Sequence, residues 1–91
     1  MALLDLLGRR WALRVIWELR DGPAASFRDL QERCDGVSSS VLNTRLAELR
    51  DAGIVRSGQA GGYELTGEGR DLLAAYGPLG AWAKRWQARS T

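Results

Sequence analysis

A mainly α fold closed by one small β-hairpin is what this sequence predicts, and three observations carry the expectation. Apolar residues recur at helical spacing in successive stretches separated by Gly, Pro or Asp-Gly breaks. Two of those stretches are joined by only three residues, Asp35-Gly36-Val37, and a glycine-rich tip from Gly58 to Gly62 separates two short runs of strand-forming residues. The resulting order of helix, helix, turn, helix, two-stranded wing and helix is that of a winged helix-turn-helix. With 91 residues the chain fits one domain spanning 1–91. A chain of this length buries only roughly 60 to 65% of its unfolded surface, so a partner subunit would help it.

Gly8 separates a short apolar segment, Ala2 to Leu7, from a stronger helical stretch, Arg9 to Arg20, which Asp21-Gly22-Pro23 stops. At about 100° per residue Trp11, Val15, Leu19, Ala12 and Ile16 form one broad apolar arc that belongs in the core. Leu13 and Trp17 fall on a second side. Either they pack beneath the N-terminal segment through Leu3 or Leu6, or they face a second subunit or a flat ligand.

Ser26-Phe27-Arg28-Asp29 reads as an N-cap with an acid three residues on, and Phe27, Leu30 and Cys34 follow on one stripe, so a short helix ends near Cys34. Ser38 caps the next helix, whose core positions are Leu42, Leu46 and Leu49 and whose end is Ala52-Gly53. Ile54 to Ser57 and Tyr63 to Leu65 are strands of a hairpin. Thr66 caps a last helix from Gly67, which Gly77-Pro78 is expected to interrupt, with a restarted helix presenting Leu79, Trp82, Ala83 and Trp86.

Composition removes whole classes of function. The chain has no His, so Ser-His-Asp and Cys-His pairs, an HExxH zinc site and a His general base are all impossible. Its one Cys can make neither an intramolecular disulfide nor a Cys-rich metal site, which fits a reducing cytoplasm. The acids show no metal-binding or paired-carboxylate spacing, and residues 58–62 lack the Lys and Ser/Thr of a phosphate-binding loop. The opening segment is neither a signal peptide nor a membrane span. The expectation is a cytoplasmic protein that is not an enzyme and needs no cofactor or metal.

The net charge of +2 is unevenly spread. Basic residues outnumber acids at both ends, whereas the middle, with Asp21, Asp29, Glu32, Asp35, Glu48, Asp51, Glu64 and Glu68, is acidic. A polyanion would therefore meet local basic clusters, and all of these basic residues except Lys84 are Arg, suited to bidentate phosphate or guanine contacts.

In this architecture the second helix of the motif enters the DNA major groove with its N-terminal residues against base edges. Here that end carries Ser38, Ser39 and Ser40, followed by Asn43, Thr44 and Arg45. Asn pairs with adenine, Arg with guanine, and hydroxyls with phosphates or bases. The plainer alternative makes Ser38 a cap only, leaves Ser39 and Ser40 solvated, and pairs Arg45 with Glu48 or Asp51. The wing tip is bare of basic residues; Arg56 alone stands near it, so a hairpin that merely covers the core weighs equally against a DNA-contacting wing. Cys34 reads as a buried inert thiol rather than a redox sensor. The four Trp are expected in the core and a dimer seam, or around a pocket for a planar apolar effector between subunits.

Several segments together resemble one bacterial family: Leu6-Leu7-Gly8-Arg9-Arg10-Trp11, Gly22-Pro23, Phe27-x-x-Leu30, Val37-Ser38-x-x-Val41-Leu42-x-x-Arg45-Leu46-x-x-Leu49, Gly53-Ile54-Val55, Tyr63-x-Leu65-Thr66-x-x-Gly69 and Leu79-x-x-Trp82. Their order and spacing resemble the HxlR-type winged helix-turn-helix transcription regulators, relatives of the MarR group, over nearly the whole chain. The resemblance implies a homodimer joined through N- and C-terminal helices, with Leu3, Leu6, Leu79, Trp82 and Trp86 at the seam. It also implies paired recognition helices on a pseudo-palindromic double-stranded DNA operator, contacted by Ser38, Ser39, Ser40, Asn43, Thr44 and Arg45, and the reading of such a protein is a repressor. The chain departs from the family pattern by lacking the N-terminal extension with a redox-sensing Cys, by Ser26 in place of a common basic residue, and by a shorter wing without a basic tip. The alternative function is a winged-helix module that binds protein rather than DNA.

Overall fold

Hydrophobic spacing dictates the centre of the molecule. The computed structural model describes residues 2–90, and its helices are α1 (Ala2–Leu7), α2 (Ala12–Glu18), α3 (Phe27–Arg33), α4 (Ser39–Asp51) and α5 (Gly67–Ser90), with strands β1 (Val55–Ser57) and β2 (Tyr63–Leu65) between α4 and α5. Val15, Ile16 and Leu19 from the α2 region meet Leu30 and Cys34 from α3 and its cap. Leu42, Leu46 and Leu49 from α4 and Ile54, Val55 and Leu65 from the hairpin close the same buried cluster. These residues recur every three or four positions in the helices, so each helix turns one stripe inward and leaves the rest to solvent.

Local polar chemistry sets the boundaries. Ser26 and Asp29 form a reciprocal capping box: the Asp29 amide donates to Ser26 Oγ at 3.0 Å and the Ser26 amide to Asp29 Oδ2 at 3.2 Å. Ser38 Oγ accepts from the Val41 amide at 3.2 Å and starts α4, and Gly53, at φ 76°, turns the chain out of it. Thr66 starts α5 in the same way, accepting from the Gly69 amide at 3.0 Å. A Cβ at Gly69 would strike the Ile54 carbonyl, so only glycine lets α5 sit this close to the base of the hairpin.

The hairpin pairs antiparallel in the register Val55↔Leu65, Arg56↔Glu64 and Ser57↔Tyr63. Ala25, in the connection before α3, adds an antiparallel bridge to Tyr63 through two backbone hydrogen bonds of 2.7 and 2.9 Å. The wing is thereby stitched to the helix-turn-helix, a link that no local pattern announces.

Two expectations are corrected, and one of two alternatives left open by the sequence is set aside. The helix predicted from Arg9 to Arg20 occupies only Ala12–Glu18, because Trp11 takes the left-handed conformation at φ 78° and the chain turns through Gly8–Trp11 between α1 and α2. That turn lets Leu6 and Leu7 pack on the core beside the half-buried Trp11. The break predicted at Gly77-Pro78 is absent, and α5 runs through Pro78 unbroken. Proline disfavours a helical residue before it by clashing with that residue's Cβ and N–H, and Gly77 has no Cβ to clash. Finally, Leu13 and Trp17 are not covered by the N-terminal segment; both are exposed and look across at α5.

Candidate nucleic-acid interface

The buried stripe of α4 fixes what its other faces can do. With Leu42, Leu46 and Leu49 inward, Ser40, Asn43 and Thr44 fall on the opposite arc and all three are exposed. The Asn43 side chain makes no hydrogen bond among the described residues, so both its amide donor and its carbonyl acceptor are open to solvent. Thr44 Oγ1 donates back to the Ser40 carbonyl at 2.9 Å. Ser38 is spent on its cap, with Ser40 Oγ 3.5 Å from its hydroxyl. Gln31 Nε2 of α3 donates to Ser39 Oγ at 2.9 Å and ties the two helices of the motif together at the start of α4. Gln31 was not among the sequence-derived candidates; its signal is its place one residue past buried Leu30, on the flank that faces the next helix.

Arg45 does not join this polar arc. Its helical phase lies about 60° from Leu42, beside the core stripe. Its side chain is 18% exposed, with Nε donating to the Arg10 carbonyl at 2.9 Å and a second guanidinium nitrogen to Glu48 Oε1 at 2.8 Å. Two of its five N–H donors are thereby engaged inside the protein. The helical phase was legible in the sequence; the Arg10 carbonyl 35 residues away was not.

Arg56 stands on β1 and pairs across the hairpin with Glu64 at 3.0 Å, still largely open to solvent. The wing tip beyond it, Gly58 to Gly62, is bare of charge. On α3, Arg28 is exposed on the outer surface, 3.6 Å from Glu32, and Arg10 lies exposed in the α1–α2 turn over the Trp11 ring.

A different surface runs along the two ends of the chain. Leu3, Leu4, Leu79, Trp82 and Trp86 are all exposed; Trp82 at 47% and Trp86 at 53% stack with ring centroids 6.2 Å apart and planes inclined by 12°. Leu6 is half-buried against the core. Between α2 and the middle of α5 lies a crevice of about 660 Å³ walled by Leu13, Trp17, Leu72, Leu73 and Tyr76, with Lys84 at its rim.

Cys34 is fully buried and unpaired. Burial, and secondarily the Glu18 carboxylate, push its thiol above the ordinary value against the weaker pull of Arg14, so it stays protonated and unreactive at neutral pH. No group of His, Cys, Asp or Glu among the described residues could hold a metal ion, and no helix among them is long and apolar enough to cross a membrane.

Known proteins share both this sequence pattern and this geometry. The sequence profile described as HxlR-like helix-turn-helix matches residues 6–91. The HTH-type transcriptional regulator YodB of Bacillus subtilis is 33% identical over 88 residues, covering 90% of this chain and 78% of its own length. An uncharacterized HTH-type transcriptional regulator of the same organism, YvaP, is 28% identical over 89 residues, 91% of this chain and 82% of the relative. The crystal structure of quinone-bound YodB superposes with a TM-score of 0.84 at 33% identity, covering 92% of each chain. An HxlR family transcription factor structure from Thermoplasma volcanium gives 0.82 at 31% identity, over 94% of this chain and 82% of that one. These proteins are transcriptional regulators and not enzymes, and with nearly all of its length matched, this chain belongs to the HxlR-like helix-turn-helix family of DNA-binding transcriptional regulators.

Proposed function

We propose that the chain acts as a homodimeric cytoplasmic repressor that reads a pseudo-palindromic double-stranded operator with α4 as its recognition helix. The observation that carries this reading is the open polar arc at the start of α4, where Asn43 stands unpartnered beside Ser39, Ser40 and Thr44. An amide with both donor and acceptor free is equipped to pair with adenine in the major groove, and the neighbouring hydroxyls suit phosphates or base edges. Ser38 contributes by holding the helix end rather than by contact. Arg56 serves phosphate, through the part of its guanidinium that Glu64 leaves open.

The dimer follows from apolar surface. Leu3 with Leu6 at one end and Leu79, Trp82 and Trp86 at the other offer faces that water-soluble monomers seldom leave open, and a small domain gains stability by burying them against a second copy. The whole chain, 1–91, then works as one domain whose terminal helices form the seam.

A small planar apolar effector is a second element of the proposal, favoured by the crevice between α2 and α5, where the Trp17 and Tyr76 rings and Leu13 offer flat apolar walls. A solved relative carries a quinone. Titrating a benzoquinone or naphthoquinone while following intrinsic tryptophan fluorescence tests it, with quenching in the parent and none in Trp17→Leu as the expected pair of results.

The test of the main reading is fluorescence anisotropy with DNA from upstream of the protein's own gene against a scrambled duplex over a salt series. A dimer touching ~6 to 10 phosphates gives a slope of log affinity on log salt of roughly −5 to −9. Absence of binding even to scrambled DNA at low salt would overturn the DNA-reading role of α4.

A further inference from the structure

Two links tie α4 to the turn that follows α1, and a third contact joins that turn to the connection leading into α4. Arg9, in that turn, forms an ion pair with Glu48 of α4 through Oε2. The other carboxylate oxygen of Glu48 accepts from Arg45 at 2.8 Å, and Arg45 Nε reaches back to the Arg10 carbonyl at 2.9 Å. The third contact is made by Trp11, whose ring lies against Gly36 in the turn between α3 and α4. Trp11 is also the one non-glycine residue among those described with a positive φ, a conformation that a bulky side chain keeps only when its surroundings over-determine it. Arg45 and Glu48 are 18% and 21% exposed, so their attraction is less screened than that of an open surface pair, while Arg9 is half exposed.

Resting on the reading of α4 as the DNA-contacting helix, we infer that Arg9, Glu48 and Arg45 form a positioning clamp that sets the angle of α4 from the Gly8–Trp11 turn, so that the placement of α1 governs operator affinity without any of the three touching a base. The argument is one of geometry. The core stripe of α4 fixes its depth, and on the flank carrying Arg45 and Glu48 its rotation is held by this cluster together with Val41, which packs on the core. The turn it reaches is the direct continuation of α1, whose exposed Leu3 and Leu4 lie on the apolar end surface. A shift of α1 is thereby transmitted to the flank of α4 by two charge-assisted contacts, beside whatever Leu6 and Leu7 pass on through the core.

Glu48→Gln provides the test, because its sign separates positioning from general electrostatics. Removing a negative charge beside bound DNA strengthens binding by simple charge arithmetic. A broken clamp instead weakens operator binding, by roughly 3- to 30-fold, the range expected for contacting residues in one network. It leaves the scrambled duplex bound no more weakly than by the parent, and the salt slope and the helical circular dichroism unchanged. Arg9→Ala should give a similar loss, and the double variant Arg9→Ala/Glu48→Gln no more than the worse single one. If Glu48→Gln binds the operator as well as the parent or better, or if the two losses multiply, the clamp does not position α4. A loss in Arg9→Ala that is equal on both duplexes, with the salt slope shallower by about 1, would make Arg9 a phosphate contact and overturn the inference. A denaturation cycle on the same variants without DNA separates the two readings. No coupling in a parent that binds the operator defeats the clamp alone, whereas coupling in a parent that binds neither duplex defeats the DNA reading of α4 and the consequence drawn from it.

Discussion

Helices α4 and α5 are both amphipathic, yet they meet opposite fates. Every core residue of α4, from Leu42 to Leu49, is covered, and its open arc is polar. The stripe of α5 is satisfied only near its start, where Leu72 and Leu73 pack on the core, and it continues past Pro78 as bare Leu79, Trp82 and Trp86. A helix whose hydrophobic demand is met advertises function through its polar face. One whose demand is unmet points to a missing partner, since exposed aromatic surface on this scale is seldom left to water.

The strongest way to break this contrast is to attack each stripe. Leu46→Ala empties a fully enclosed site and should lower unfolding free energy by about 2 to 5 kcal/mol in urea titrations. Leu79→Ala, in contrast, should move the midpoint little at protein concentrations where the chain is monomeric; an equal loss there would mean that the end of α5 is already covered within one chain.

Trp82→Ala and Trp86→Ala sharpen the α5 side. Each should shift the mass measured by light scattering toward monomer and make the melting temperature depend more steeply on concentration, because assembly and folding then share one surface. A parent that is monomeric at all concentrations would remove the seam from the account. On the α4 side, Asn43→Ala should weaken operator binding by about 1 to 3 kcal/mol while thermal stability stays within about 0.5 kcal/mol of the parent. Unchanged anisotropy curves would take Asn43 off the DNA. The smallest effect belongs to Arg56→Ala: its exposed cross-strand pair is worth about 0.2 to 1 kcal/mol of stability, and loss of its phosphate contact should flatten the salt slope by about 1.

What could be read in advance was local. Ser26 with Asp29, Ser38, Gly53 and Thr66 mark helix ends because caps act within three or four residues, and the Leu and Val spacings mark the core because helical geometry repeats every 3.6. The polar arc of Ser39, Ser40, Asn43 and Thr44 followed from the same periodicity. Arg45 was read either as a guanine contact or as the partner of Glu48 or Asp51; the structure shows the Glu48 pair, and the phase of Arg45 beside Leu42 sets it off the polar arc. The end of α5 was misjudged because Gly-Pro normally breaks a helix, and here the missing Cβ of Gly77 relieves the clash.

By itself, then, the chain determined which stretches are helical, where the capped helices α3, α4 and α5 start, which residues form the core and which class of reaction is excluded, since these depend on composition and on neighbours within one or two turns. Tertiary structure alone decided that Arg45 grips the Arg10 carbonyl, that Trp11 takes a left-handed conformation against Gly36, that Ala25 stitches the wing to the motif, and that Leu13 and Trp17 wall a crevice with α5. Most of these join residues far apart in sequence, and a hydrogen-bond donor or an apolar face carries in its own type no record of which distant group will satisfy it.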